Sequence, residues 1–276
     1  MLQLGDGAQG VNRREIDLAQ SDQVAQFLEK NTDQISAIFN AAAYTQVDRA
    51  ETESRLCFLL NEKLPVQLAE FCQKQKIPLV HFSTEFVFDG SGSNPWHEAD
   101  PPRPINVYGE SKLAGELAIL RSNAQALIFR TSWVYGDHGK NFVNSILDLA
   151  EKKEIMKVVD DQVGAPTSAL VLAAKAIEGL KRAQNLARFP TGLLHLCNSG
   201  ETSRYELASR IIAEARRGGR KFAVKEIVPV KTVALVSNAL RPLNSRLNCN
   251  KAKTILNLSM PPWQESLEKY ILKSAL

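Results

Sequence analysis

The chain has 276 residues, 44% hydrophobic and 23% charged, a globular balance that excludes a disordered or fibrous protein. Its 34 Lys and Arg against 30 Asp and Glu leave a net charge of +4, too small over this length to argue for nucleic acid. Cys57, Cys72, Cys197 and Cys249 show neither CxxC spacing nor a nearby His, and read as reduced thiols rather than a disulfide framework or zinc site. No apolar run reaches bilayer length and the N-terminus lacks signal-peptide architecture, so a soluble cytoplasmic protein is expected, with no membrane partner.

Gly5-Asp-Gly-Ala-Gln-Gly10 spells GxGxxG, the pattern of a dinucleotide phosphate loop. Only four residues precede it, and residues 11–20 carry no apolar stripe, so it reads as a Gly-rich turn. Ser21 is placed to cap a helix to about Lys30, with Val24, Phe27 and Leu28 on one face. Residues 35–39 form a buried strand before the small-residue loop Asn40-Ala41-Ala42-Ala43, and 53–75 a long helix with a kink or join at Pro65. A second buried strand, 78–82, ends at Ser83-Thr84, and 89–106 is a long surface loop. A helix then starts near Val107, with Leu113, Leu117 and Leu120 on one side. Strand 126–130, helix 142–152, strand 157–159 and a helix from about 169 to 184 follow. This alternation predicts an α/β fold, parallel strands joined by crossover helices. Strand 192–197, helix 203–217, a basic turn at 216–221 and a final helix after Pro261-Pro262 read as a small α+β lobe. The expected division is a dinucleotide-binding domain over 1–165 and a mainly substrate-binding lobe over 166–276, some of whose elements can return to the main sheet.

Tyr108 and Lys112, four apart on a helix, project from one face. A nearby ammonium can lower a phenol's pKa from about 10 toward neutrality, and a phenol so tuned can protonate a carbonyl oxygen that is accepting a hydride. The strand ending at Ser83-Thr84 offers a hydroxyl to the same carbonyl. Thr, Tyr and Lys in that order are the parts of a carbonyl-reducing site.

Longer blocks extend this reading. Asn40-Ala-Ala-Ala-Tyr-Thr-Gln-Val-Asp-Arg-Ala-Glu51, His81-Phe-Ser-Thr84, Val87-Phe-Asp-Gly90 and Pro104-Ile-Asn-Val-Tyr-Gly109 run in order. Ser111-Lys-Leu-Ala-Gly-Glu116, Arg130-Thr-Ser-Trp-Val-Tyr-Gly136, Asp161-Gln-Val-Gly-Ala-Pro-Thr167, Arg241-Pro-Leu-Asn-Ser-Arg-Leu247 and Trp263-Gln-Glu-Ser-Leu267 follow. Together they resemble the dTDP-4-dehydrorhamnose reductases, extended short-chain dehydrogenases/reductases with a Rossmann-like sheet. The resemblance implies NADPH- or NADH-dependent reduction of the C4 ketone of a dTDP-sugar, dTDP-4-dehydro-6-deoxy-L-mannose. It makes Tyr108 the proton donor and Lys112 the group that lowers its pKa and holds the nicotinamide ribose. Thr84 would stabilise the developing oxyanion. Asp17 and Leu18 would contact adenine, Ala42, Ala43, Tyr44, Thr45 and Ser83 would line the coenzyme, and Glu85 and Trp133 would meet the sugar. A homodimer and a magnesium ion are compatible with the family, but no ligand set for the metal can be placed.

Two departures from the family stand out. Where it reads Ser-Thr-Asp-Tyr, this chain has Ser83-Thr84-Glu85-Phe86, which lacks a hydroxyl and puts the identity of the sugar in question. The family also opens with a strand, a Gly-rich loop and a helix before the segment resembling 11–18, whereas here that opening is absent; the expectation is a longer native chain with an internal or misassigned Met1. Arg13 and Arg14 favour NADPH, since a guanidinium there could meet a 2′-phosphate. The alternative is a non-catalytic subunit of the same fold, like the methionine adenosyltransferase regulatory subunit, favoured by the missing loop and opposed by the presence of Thr84, Tyr108 and Lys112 together. An epimerase or dehydratase of the superfamily fits the blocks at 161–167 and 241–247 less well.

Overall fold

Four parallel strands organise the main sheet of the computed structural model, which describes residues 9–11, 15–234 and 237–273. Their order is Ile38–Asn40, Leu79–Thr84, Ala126–Thr131, Gly192–His195. The register sets Asn40 beside His81, Ser83 beside Arg130 and Thr84 beside Thr131. Most of Gly5–Gly10, with Arg13 and Arg14, lies outside the described residues; Gly10 itself is exposed and in no helix or strand. Among the described residues nothing pairs with the outer edge of Ile38–Asn40.

The two central strands are apolar runs because both faces of the sheet are covered. On one side Val24, Leu28, Leu64, Leu68 and Ile119, from helices Ser21–Lys30, Leu64–Gln75 and Val107–Arg121, pack against Leu79, Ala126 and Ile128. On the other, Leu172, Ala176 and Leu180 of helix Ala169–Gln184 meet Val80, Leu127, Phe129 and Leu194. A second core joins helices Phe142–Lys152, Arg204–Arg217 and Trp263–Lys273 to the parallel strand pair Ile155–Val159 and Glu226–Val230. The strand Gly192–His195, late in the chain, lies in the main sheet.

Three local expectations change. Gln20, not Ser21, precedes the first helix and no side chain caps it; the Ser21 hydroxyl donates instead to Gln67. The long helix is broken into Ser54–Phe58, a π-helical turn Leu59–Lys63 and Leu64–Gln75, with Pro65 in the first turn of the last piece. The widened turn brings the Asn61 carbonyl so near helix Val107–Arg121 that a Cβ on Gly115 would sit 2.1 Å from it. Finally, that helix only half-buries its leucine side, with Leu113 and Leu120 packed at core margins. Leu117 is 42% exposed, while Ser111, Lys112, Gly115, Glu116 and Ile119 face inward.

Candidate active site

The inward polar face of helix Val107–Arg121 builds the site. Asn106 caps it, its side chain accepting from the Gly109 amide at 2.8 Å and its amide group donating to the Leu240 carbonyl at 2.7 Å. Gly109 permits this docking, since a Cβ there would stand 2.2 Å from the Phe86 carbonyl. The helix thereby sets Tyr108 and Lys112 against the carboxyl end of strand Leu79–Thr84, the end at which open α/β sheets bind ligands.

Thr84, Glu85 and Tyr108 meet there. The Thr84 hydroxyl donates to Glu85 Oε2 at 2.8 Å and accepts from the Phe86 amide at 3.2 Å. Burial raises the Glu85 carboxyl to about 7, against the pull of Thr84, the Trp133 backbone amide and the Arg204 charge. Desolvation, then the Glu85 charge, pushes the Tyr108 phenol above its ordinary value, with the Thr84 hydroxyl pulling the other way. The spacing of Tyr108 and Lys112 predicts a lowered phenol; these neighbours raise it instead, and Lys112 Nζ is directed elsewhere. It donates to the Phe82 carbonyl at 2.6 Å and lies 3.3 Å from His81 Nε2. Its own pKa falls from 10.5 to about 8, chiefly by burial, with Glu116 opposing. Phe86 stacks edge-on against the Tyr108 ring, centroids 5.4 Å apart. Where the resemblance leads one to expect a hydroxyl, this chain therefore supplies an aromatic wall.

The residues expected near the coenzyme gather on the adjoining side. Leu18, Tyr44 and Tyr108 share one apolar cluster. Tyr44 is already engaged: its amide donates to Asn61 at 2.8 Å, its carbonyl accepts from Asn61 at 3.1 Å, and its phenol donates to Glu53 at 2.6 Å. It can therefore shape the wall and hold Ala43 and Thr45 in place, while its polar groups are committed to the protein. Ala42 is fixed by its amide donating to Asn40 Oδ1 at 3.2 Å. Asp17 is exposed and accepts from the Ala19 amide at 3.0 Å, the bond of a turn residue. Ser83 Oγ is buried with no protein partner, a hydroxyl beside the site with its capacity unspent. Among the described residues no group of three or more His, Cys, Asp or Glu side chains gathers as a metal site, and no helix is long and apolar enough to cross a membrane.

Trp133, expected to meet the sugar, takes a left-handed backbone conformation, φ 47°, unusual for a bulky residue and a mark of local strain. Gly164 accommodates it, since a Cβ there would lie 2.9 Å from the Trp133 ring. The Arg204 guanidinium lies 3.6 Å from the ring centroid and 4.7 Å from that of Phe142.

Four contributors have no role in the sequence reading. His81 joins Asn40, at 3.0 Å, to Lys112, and Asn61 clamps Tyr44. Arg204 covers Trp133, and Glu116 forms a bidentate pair with Arg130, at 2.9 and 2.6 Å, behind the site. His81 and Glu116 stand inside blocks that carry the family resemblance, and a lone His inside the apolar run Pro78–Phe82 is a signal of its own; Asn61 and Arg204 have none.

Comparison with known proteins bears on this geometry directly. Residues 2–275 match the family model described as the RmlD substrate binding domain. The chain is 41% identical over 234 residues to the dTDP-4-dehydrorhamnose reductase of Shigella flexneri, covering 85% of this chain and 78% of that protein. The chain belongs to the dTDP-4-dehydrorhamnose reductase family. The Burkholderia thailandensis reductase is 38% identical, over 91% of this chain and 86% of its own length. A crystal structure of the Bacillus anthracis reductase in complex with NADP superposes with a TM-score of 0.83 at 32% identity, covering 95% of this chain and 89% of that one. The Clostridium acetobutylicum orthologue gives 0.89 at 29% identity, over 99% and 93%. The Rossmann-type fold and the reductase family expected from the sequence blocks are thus both established.

Proposed function

We propose that this chain reduces the C4 ketone of dTDP-4-dehydro-6-deoxy-L-mannose with NADPH, yielding dTDP-L-rhamnose. The reading is carried by one observation: Tyr108 and Lys112 lie on a helix face turned inward to the sheet end, where Thr84 shares a hydrogen-bonded cluster with the phenol. Residues 1–165 would hold the coenzyme, with the unspent hydroxyl of Ser83 and the wall of Leu18, Ala42, Ala43, Tyr44 and Thr45 facing it, and Asp17 at the adenine end. Bound NADPH would supply the hydride to C4. A phenol at or above its ordinary value is protonated at neutral pH, so Tyr108 enters the reduction as the acid; the upward shift makes it the weaker donor, and the positive charge of Lys112 is what would favour release of the proton. Thr84 would steady the charge that grows on the C4 oxygen once its single hydroxyl proton turns from Glu85 to that oxygen. An ammonium has three donors, and the Phe82 carbonyl occupies one on Lys112, leaving capacity for the ribose or for the phenolate once Tyr108 has given up its proton.

The sugar would lie between Glu85, Trp133 and Arg204, so residues 166–276 contribute mainly to substrate recognition while Gly192–His195 completes the sheet. Phe86 removes one hydrogen bond of roughly 0.5–1.5 kcal/mol relative to a Tyr there. The test is purified chain with NADPH and the dTDP-4-keto sugar, followed by loss of NADPH absorbance and identification of the product. Turnover with formation of the rhamno product supports the reading. Coenzyme and sugar both bound by a folded chain without turnover would replace it with a non-catalytic role.

A further inference from the structure

The four cysteines are free thiols, and they differ sharply in setting. Cys57 and Cys72 are each fully buried, the first hydrogen-bonded near Ser111 and Asn61, the second among core side chains. Cys197 and Cys249 lie 52 residues apart in the chain, yet their sulfurs are 3.6 Å apart, in van der Waals contact. Both line a cavity of about 480 Å³ that also touches Leu247, Asn198 and Met260; none of Thr84, Tyr108 and Lys112 reaches it. Cys197 is buried and Cys249 half-buried, so Cys249 is the more accessible of the two.

We propose that Cys197 and Cys249 form an oxidisable dithiol, a modification site at which a hydroperoxide closes an intramolecular disulfide. The chemistry follows from the order of the two sulfurs. The contact between the two sulfurs lowers the pKa of Cys249 and, with burial, raises that of Cys197, so Cys249 is the sulfur that gives up its proton more readily and attacks first. Its sulfur attacks a peroxide oxygen; the O–O bond breaks, a sulfenic acid forms, and the departing hydroxide or alkoxide takes the proton released by Cys249. The Cys197 sulfur then attacks the Cys249 sulfur, the S–O bond breaks, and the hydroxyl leaves as water with the Cys197 proton. With hydrogen peroxide, two thiols and one peroxide become one disulfide and two waters; each sulfur loses one electron and the peroxide is reduced. Bond formation takes the sulfurs from 3.6 Å to bonding distance, roughly 2.05 Å.

The bond would tie the segment after strand Gly192–His195 to the one that follows Asn244–Ser245. Those two residues pair with Val163–Gly164, against which Trp133 is seated. The modification is independent of the reductase reading, because neither sulfur belongs to the proposed machinery.

The test uses the native full chain. Iodoacetamide is expected to label Cys249 about ten-fold faster than Cys57 or Cys72. Excess hydrogen peroxide should lower the mass by two hydrogens, take the free thiols from four to two, and leave a Cys197–Cys249 cross-linked peptide that dithiothreitol reverses. The oxidised protein should also melt at a higher temperature, since the bridge closes a long loop of the unfolded chain. Cys249→Ser and Cys197→Ser should each abolish the bridge, and the wild-type thiol count and peptide map stand without them if either variant fails to fold. Four free thiols after peroxide, a Cys249 sulfinic acid beside a reduced Cys197, or a bridge between two molecules would each overturn the proposal.

Discussion

Two helices of similar length face their cores in opposite chemical styles. Helix Phe142–Lys152 turns Val143, Ile146, Leu147 and Ala150 inward, the ordinary apolar stripe of a helix that is held by packing. Helix Val107–Arg121 turns Ser111, Lys112 and Glu116 inward and leaves Leu117 on the outside. Buried polar groups stabilise little and cost much if unpaired, so an inward face built from them points to work other than folding. Each has a partner: Ser111 through Asn61 and the Tyr108 carbonyl, Lys112 through the Phe82 carbonyl, Glu116 through Arg130. One helix holds a lobe together, and the other positions reactive groups while the sheet holds it.

The comparison can be pressed hardest at Tyr108. Tyr108→Phe should lower turnover by about 10²–10⁴-fold, the usual contribution of a general acid, with an unchanged circular dichroism spectrum and melting temperature. Next comes the ion pair behind the site, whose side chains are 2% and 1% exposed. Glu116→Ala should destabilise the fold by about 3–5 kcal/mol in urea titration, because it strands the Arg130 guanidinium; replacing both partners with Met or Leu should recover most of that loss. The smallest effects separate the two helices at their leucines. Leu147→Ala should cost about 2–5 kcal/mol as a core truncation, whereas Leu117→Ala should stay within about 0.5 kcal/mol. Equal losses at the two leucines would erase the contrast.

Much of the fold is legible in the sequence because it rests on local pattern. Helix Phe142–Lys152 is readable to the residue from its apolar stripe, and the central strands stand out as apolar runs. The buried face of Val107–Arg121 is not legible, since a leucine stripe argues for the wrong side when the inward partners are a strand end and a polar turn. Asn61 lies in a π-helical turn that no spacing rule anticipates, and its role depends on Tyr44, 17 positions away. Tyr108, Lys112, Thr84 and Trp133 can be named from blocks of sequence. Their electrostatics cannot: the neighbour that most raises the phenol after burial is Glu85, and that follows from packing. The Cys197–Cys249 contact is hidden for the same reason, because the fold joins segments far apart in the chain.

The claim that the inward face of Val107–Arg121 serves chemistry at the expense of stability is tested most directly by Lys112→Met, unfolded in urea at a series of pH values. The folded Lys112 titrates at about 8 and the unfolded one near 10.5, so the burial cost is fully present below pH 8 and is relieved as pH rises toward 10.5. The variant should therefore be more stable than wild type at pH 7 by ~1–3 kcal/mol, after allowing for the hydrogen bond to Phe82 that the substitution removes. That gap should close above pH 8, with turnover abolished throughout. A variant less stable than wild type at pH 7, with no pH dependence in the difference, would show that Lys112 holds the fold and would contradict the account.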